Sequence, residues 1–179
     1  MRIISRGIAA AAVLLVLGAT VASAQKPQTR KGFWIGFGFG WGSYGCEVCD
    51  GRASSYTAHL KLGGTLSPKL LLGAEIDGWS KTESGETLTA GDVTVNAYFY
   101  PNPASGLFLN GGVGLSRIEL SGGGVSAGET GPGLTLGAGY DLRVGTNVSI
   151  VPSLQWVYGK PESGLSQNFY HFSLGVTFH

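Results

Sequence analysis

Along most of this chain, apolar residues alternate with small or polar ones at a period of two. In GFWIGFGFGWGS, residues 32–43, one set of positions holds Phe33, Ile35, Phe37, Phe39 and Trp41. Trp34, Gly36, Gly38, Gly40 and Gly42 fall between them. A β-strand sends successive side chains to opposite faces, so this spacing predicts a strand with one large apolar face and one nearly bare face. Seven further runs follow. Residues 54–66 set Tyr56, Ala58, Leu60, Leu62 and Leu66 against Thr57, His59, Lys61, Gly63 and Thr65. The third run opposes Leu70, Leu72, Ala74 and Ile76 to Gly73, Glu75, Asp77 and Trp79; the fourth opposes Val93, Val95, Ala97 and Phe99 to Asp92, Thr94, Asn96, Tyr98 and Tyr100. Similar rows start at Leu107, Leu134, Val148 and Tyr170. Pro152 sits on the apolar row of the seventh run, and because Pro has no N–H for a ladder, a bulge is expected there.

The connections alternate in length. Long polar ones (44–53, 81–89, 121–130 and 160–167) follow odd-numbered runs, and short ones follow even-numbered runs. SGGGVSAG, within the third long connection, reads as a mobile surface loop. The second face is polar and Gly-rich in every run. Gly is far above its usual share of about 7%, with 31 residues and no collagen period.

The first 24 residues read as an export signal: Arg2 and Arg6, an apolar run from Ile8 to Leu17, and Ala22-Ser23-Ala24 as a cleavage site. That run is short for a membrane helix, which needs about 20 apolar residues. Residues 25–31 form a loose polar leader, and 32–179 form one domain. Without Arg2 and Arg6, ten basic residues face eleven acidic ones, a net charge of −1. No basic field for nucleic acid is present.

Alternation alone does not say which face meets water. A soluble barrel of lipocalin type would turn the charged row outward. Export, alternating connection length and aromatics at strand ends (Trp41, Tyr56, Phe99, Tyr140, Trp156, Tyr158, Tyr170 and Phe178) favour the opposite polarity. The expectation is an all-β protein: an eight-stranded antiparallel up-and-down transmembrane β-barrel, which leaves no backbone group unpaired in hydrocarbon.

Residues 32–179 resemble the small eight-stranded outer-membrane barrels of Gram-negative bacteria. The most specific element is the last run, YHFSLGVTFH, alternating down to Phe178. The resemblance implies a place in the outer membrane, contact with membrane lipid and lipopolysaccharide, and Phe178 as a signal to the outer-membrane assembly machinery. Such barrels typically end in the aromatic residue, whereas His179 follows it here. A monomer without cofactor or metal is expected.

Several residues are candidates for a site. If the second and third runs fold symmetrically about Pro68, Lys61 faces Glu75 and His59 faces Asp77 on the inner face. Asp92, Asp141 and Arg143 would extend that polar network. Buried charges must be paired, so the network reads as a plug, with a narrow ion path as the alternative. Tyr98, Tyr100, Phe108 and Trp79 are candidates to lie over the inward glycines. Cys46 and Cys49 in CEVC suit a local disulfide in an exported chain; a metal site with Glu47 and Asp50, or free thiols, stay open. HFSLG resembles the His-x-Ser arrangement of outer-membrane lipid A deacylases, but alternation points His171 and Ser173 inward, away from lipid. The function expected is structural, adhesive or interactive, through four extracellular loops and without catalysis. The alternative is a porin-like conduit for small or hydrophobic solutes, with a lateral opening near Pro152.

Overall fold

The structure, a computed structural model, describes residues 30–162, 164 and 166–179. The expected signal segment 1–24, and the leader up to residue 29, lie outside the described residues. The period-two runs form β1 (Phe33–Cys46), β2 (Ala53–Ser67), β3 (Leu70–Glu83), β4 (Glu86–Phe99), β5 (Leu107–Gly122), β6 (Val125–Tyr140), β7 (Leu142–Arg143), β8 (Val148–Gly159) and β9 (Gln167–Phe178). All pairings are antiparallel. β1 pairs with both β2 and β9, and β6 pairs with β8, so the sheet closes on itself. β6 and β7 are one stave interrupted at Asp141, which gives a closed eight-stranded barrel.

The interruption stands where a bulge was expected. The β8–β9 ladder runs unbroken through Pro152↔Leu174. On the other side, pairing lapses between Gly139↔Ser153 and Leu142↔Ile150 and resumes without a shift. Pro152 has no N–H to offer, and the Asp141 amide donates instead to the Gly106 carbonyl at 2.9 Å. The ladder has a gap here, not a bulge. An irregularity does occur between Thr65 and Ser67, beside the short β2–β3 turn.

The apolar rows face outward. Phe39 is 70% exposed and Val95 65%, whereas Glu75 and Asn96 are 0% exposed. This excludes the soluble barrel, which needs Lys61, Glu75, Asp77, Asp92 and Arg143 in solvent; all five are buried. In hydrocarbon, a closed ladder is what satisfies the backbone of such strands.

Two of the four expected long loops are strand. β3 and β4 stay paired out to Glu83↔Glu86, and β5 and β6 out to Gly122↔Val125. Their turns are two residues long, Ser84-Gly85 and Gly123-Gly124, all with positive φ. That is the backbone a tight hairpin turn requires, and glycine adopts it without strain. SGGGVSAG is therefore paired strand around a two-residue turn, not an open loop. Polar residues in these segments obscured the strands because they project past the lipid. Beyond Leu115 the outward row of β5 becomes Arg117 and Glu119, and beyond Ile76 that of β3 becomes Gly78, Ser80 and Thr82.

Candidate functional site

The barrel interior is filled in layers. Near the end that carries Arg30 and His179, Trp34, Leu71, Tyr98, Tyr100, Phe108 and Val151 form one buried cluster. Near the opposite end, Tyr44, Trp79, Ala90, Val157 and Phe169 form another. The rings interlock. Trp34 meets Tyr98 edge-on at 5.1 Å, and Tyr44 stacks on Trp79 at 5.0 Å. Such pairs contribute about 0.5–1.5 kcal/mol each beyond their burial. The expected fillers Tyr98, Tyr100, Phe108 and Trp79 all lie inside. Trp34 joins them from β1 itself.

Between the aromatic layers runs a polar belt. The register places Lys61 opposite Glu75 and His59 opposite Asp77, as the hairpin symmetry predicts. Opposition in register is not contact, however. Glu75 accepts hydrogen bonds from the Tyr98 hydroxyl at 2.6 Å and from Gln155 Nε2 at 2.7 Å. Lys61 Nζ lies over the rings of Tyr98 and Phe108, at 5.3 and 5.2 Å. Asp92 accepts from the Thr135 hydroxyl at 2.6 Å. Asp77 lies near His171, whose Nε2 is 3.3 Å from its Oδ1 but outside hydrogen-bond geometry.

Asp141 and Arg143 belong to a second group, at the base. There Arg30 enters the barrel. Its Nε stands 3.4 Å from Asp141 Oδ2, while its other nitrogens donate to the Pro103 and Ser105 carbonyls at 3.1 and 2.8 Å. Its guanidinium sits 3.6 Å from the centre of the Tyr100 ring. Tyr100 in turn donates to Asp141 at 2.9 Å, and His179 Nε2 lies 3.8 Å away. The expectation of a loose leader thus fails at its end: Arg30 is 4% exposed. No sequence signal marks Arg30, because QKPQTRK is polar throughout and has no period. The void beside Lys61, Trp34, Tyr98 and His179 is about 10 Å³, room for at most one water.

His171 and Ser173 both face the interior and are 1% exposed. The Ser173 hydroxyl is 2.9 Å from that of Ser153, across the β8–β9 ladder. Neither side chain faces lipid, so the pair lacks the placement that a lipid-modifying site needs.

At the outer end, Cys46 and Cys49 are disulfide-bonded, with Cα atoms 5.1 Å apart. The bond closes a loop so short that it constrains little of the unfolded chain. Arg52 ties the loop down by donating to Ser43 Oγ at 3.0 Å and Asn168 Oδ1 at 2.8 Å. The Ser166 hydroxyl donates to Glu47 at 3.2 Å, which joins this loop to the segment before β9. On the projecting β3 strand Lys81 bonds Glu83 at 2.7 Å and holds its carboxyl below the usual range. Both are partly in water, so the pair contributes little to stability. Phe178 ends β9 on the outward face and stacks with Phe37 at 6.4 Å.

A family model described as outer membrane protein beta-barrel domain matches residues 10–178. Solved structures agree on the fold. Ail, the attachment invasion locus protein of Yersinia pestis, is 16% identical with a TM-score of 0.59, covering 84% of this chain and all of that one; a second structure holds Ail in complex with the heparin analogue sucrose octasulfate. Neisserial surface protein A is 18% identical with a TM-score of 0.60, covering 82% of this chain and 96% of that one. The N-terminal barrel domain of Pseudomonas aeruginosa OprF is 15% identical with a TM-score of 0.52, covering 84% and 98%. No curated protein matches by sequence.

Proposed function

The chain belongs to the outer membrane protein β-barrel family and resides in the outer membrane, and from that premise we propose that it is a non-catalytic surface protein that presents two rigid hairpins to an extracellular partner. The carrying observation is that β3–β4 and β5–β6 remain paired strand well past their last lipid-facing residues, ending in two-residue turns. Preformed paired strands lose little entropy on binding, which suits them to recognition. Hydroxyl pairs stiffen the β3–β4 hairpin, Ser80–Thr89 at 3.3 Å and Thr82–Thr87 at 2.9 Å.

The chemistry of this end differs from that expected of a polyanion receptor. Across 44–53, 81–89, 117–130 and 160–167, seven acidic residues face four basic ones. A sulfated ligand like the one bound to Ail would be repelled, so the partner is cationic or neutral. The conduit reading finds no support in an interior filled by interlocked rings and a hydrogen-bonded belt. We further propose that residues 1–24 are removed on export, which mass measurement of the membrane-extracted chain would check by a Gln25 N-terminus.

The test joins two measurements. Purified protein in planar bilayers should give no steady conductance. Cells displaying the protein should adhere to a surface or host matrix, and trimming both hairpins in register (81–83 with 86–88, and 118–122 with 125–129) should abolish adhesion without loss of the folded barrel. Stable conductance, or adhesion indifferent to trimming, would overturn the reading.

A further inference from the structure

We propose that His59, Asp77 and His171 hold one divalent transition-metal ion, of the zinc type, inside the barrel. The three residues come from β2, β3 and β9. Each offers one ligand atom, and these atoms all lie within 4.8 Å of one another. Ligands at about 2.0–2.1 Å from a tetrahedral zinc stand about 3.4 Å apart, so small side-chain rotations would close the cluster. Two imidazoles and a carboxylate are a donor set that zinc accepts.

A second observation points the same way. Both Asp77 oxygens, both His171 nitrogens and His59 Nδ1 are buried without a hydrogen-bond partner. The residues are 1%, 1% and 5% exposed. Buried polar groups are nearly always partnered, and each orphan costs about 1–3 kcal/mol. One atom from each residue belongs to the cluster, and a cation between them would partner a group on all three.

Charge argues likewise. The belt buries Glu75, Asp77 and Asp92 against Lys61. Burying three carboxyl groups beside one ammonium is costly, and a divalent ion among them would stabilise their ionised forms. Asp92 stands opposite Asp77 in register, and its Oδ1 is also without a hydrogen-bond partner.

The glycine row of β1 gives the cluster its space. His59 and His171 lie on the two strands that flank β1, and their ring centres are 6.3 Å apart. A Cβ on Gly38 would come within 2.6 Å of His59 Cε1, and one on Gly42 within 3.2 Å of His171 Cβ. The His59 imidazole folds over bare backbone at Gly38 that any larger residue would occupy.

With the interior closed at both levels, the ion would enter as the barrel closes. The test therefore uses protein extracted from outer membranes, unfolded in urea with chelator, and refolded in detergent with zinc ions alone. After a second chelator wash, elemental analysis should find about one zinc per chain, as expected for ligands that fold around their ion. His59→Ala and His171→Ala should each lower retention at least tenfold, whereas His179→Ala should leave it unchanged. X-ray absorption at the zinc edge should show two imidazoles, a readout that stands even if a variant fails to refold. Folded wild-type protein that retains no zinc would overturn the proposal and leave the cluster holding protons only. Zinc retained by the His59→Ala/His171→Ala double variant, or zinc without imidazole neighbours, would also overturn it.

Discussion

Two carboxylates inside this barrel are equally hidden and differently treated. Asp141, at the base, accepts hydrogen bonds from Arg30 and Tyr100. Asp77, in the belt, accepts none, although it is just as buried. The Asp141 carboxylate is held by protein groups alone, Arg30 and Tyr100, although both ring nitrogens of nearby His179 lack a hydrogen-bond partner. The belt is complete around Glu75 and incomplete around Asp77. A structural plug alone would favour the first arrangement throughout, because an unpartnered buried charge is among the costliest features a fold can hold. The contrast separates the part of the interior that locks the barrel from the part that waits for a further group.

The largest expected effect breaks the base. Asp141→Ala removes an anionic partner from the buried Arg30 guanidinium and the acceptor of the Tyr100 hydroxyl, which should cost about 3–5 kcal/mol. Urea unfolding in lipid vesicles, followed by tryptophan fluorescence, would report it; an unshifted midpoint would remove Arg30–Asp141 as a lock. Next comes Glu75→Ala, which strips acceptors from Tyr98 and Gln155 and should cost about 2–3 kcal/mol by the same assay. A cost near zero would mean that the belt is not held through Glu75. Gly38→Val should cost about 1–3 kcal/mol by overpacking against His59. Combining it with His59→Ala should recover part of that loss, and strict additivity would show that the two sites do not meet. The smallest effect sharpens the contrast most. In metal-free protein, Asp77→Asn should change stability by less than about 1 kcal/mol, since it replaces a carboxyl group that accepts no hydrogen bond by a neutral group of the same shape. A penalty as large as that of Asp141→Ala would erase the distinction between the two levels.

The strands were legible from residue spacing, because lipid imposes a period-two pattern on every strand that crosses it, and their polarity from the export signal, the alternating connection lengths and the aromatic strand ends. Once outside lipid, the same strands lose that constraint. Residues 81–89 and 121–130 therefore read as loops, although Ser84-Gly85 and Gly123-Gly124 were available as turn signals. Hairpin symmetry about Pro68 correctly set His59 against Asp77 and Lys61 against Glu75. It did not reveal that Glu75 would turn to Tyr98 and Gln155, nor that His171 would approach Asp77 from β9. The contacts to Gln155 and His171 join strands that are not neighbours, and the one to Tyr98 runs diagonally along the wall, whereas register names only the residues directly opposite. Arg30 was invisible for a related reason: it lies before the first strand, so no alternation constrains its face.

Arg30 and His179, the first and last described residues, both reach the Asp141 carboxylate. In topological terms the polypeptide is nearly a ring. A short peptide joining these ends, with new ends opened at Gly123-Gly124, would preserve every stave and ladder of the wall. Order along the gene is therefore separable from order around the barrel, which gives this scaffold a natural point of permutation.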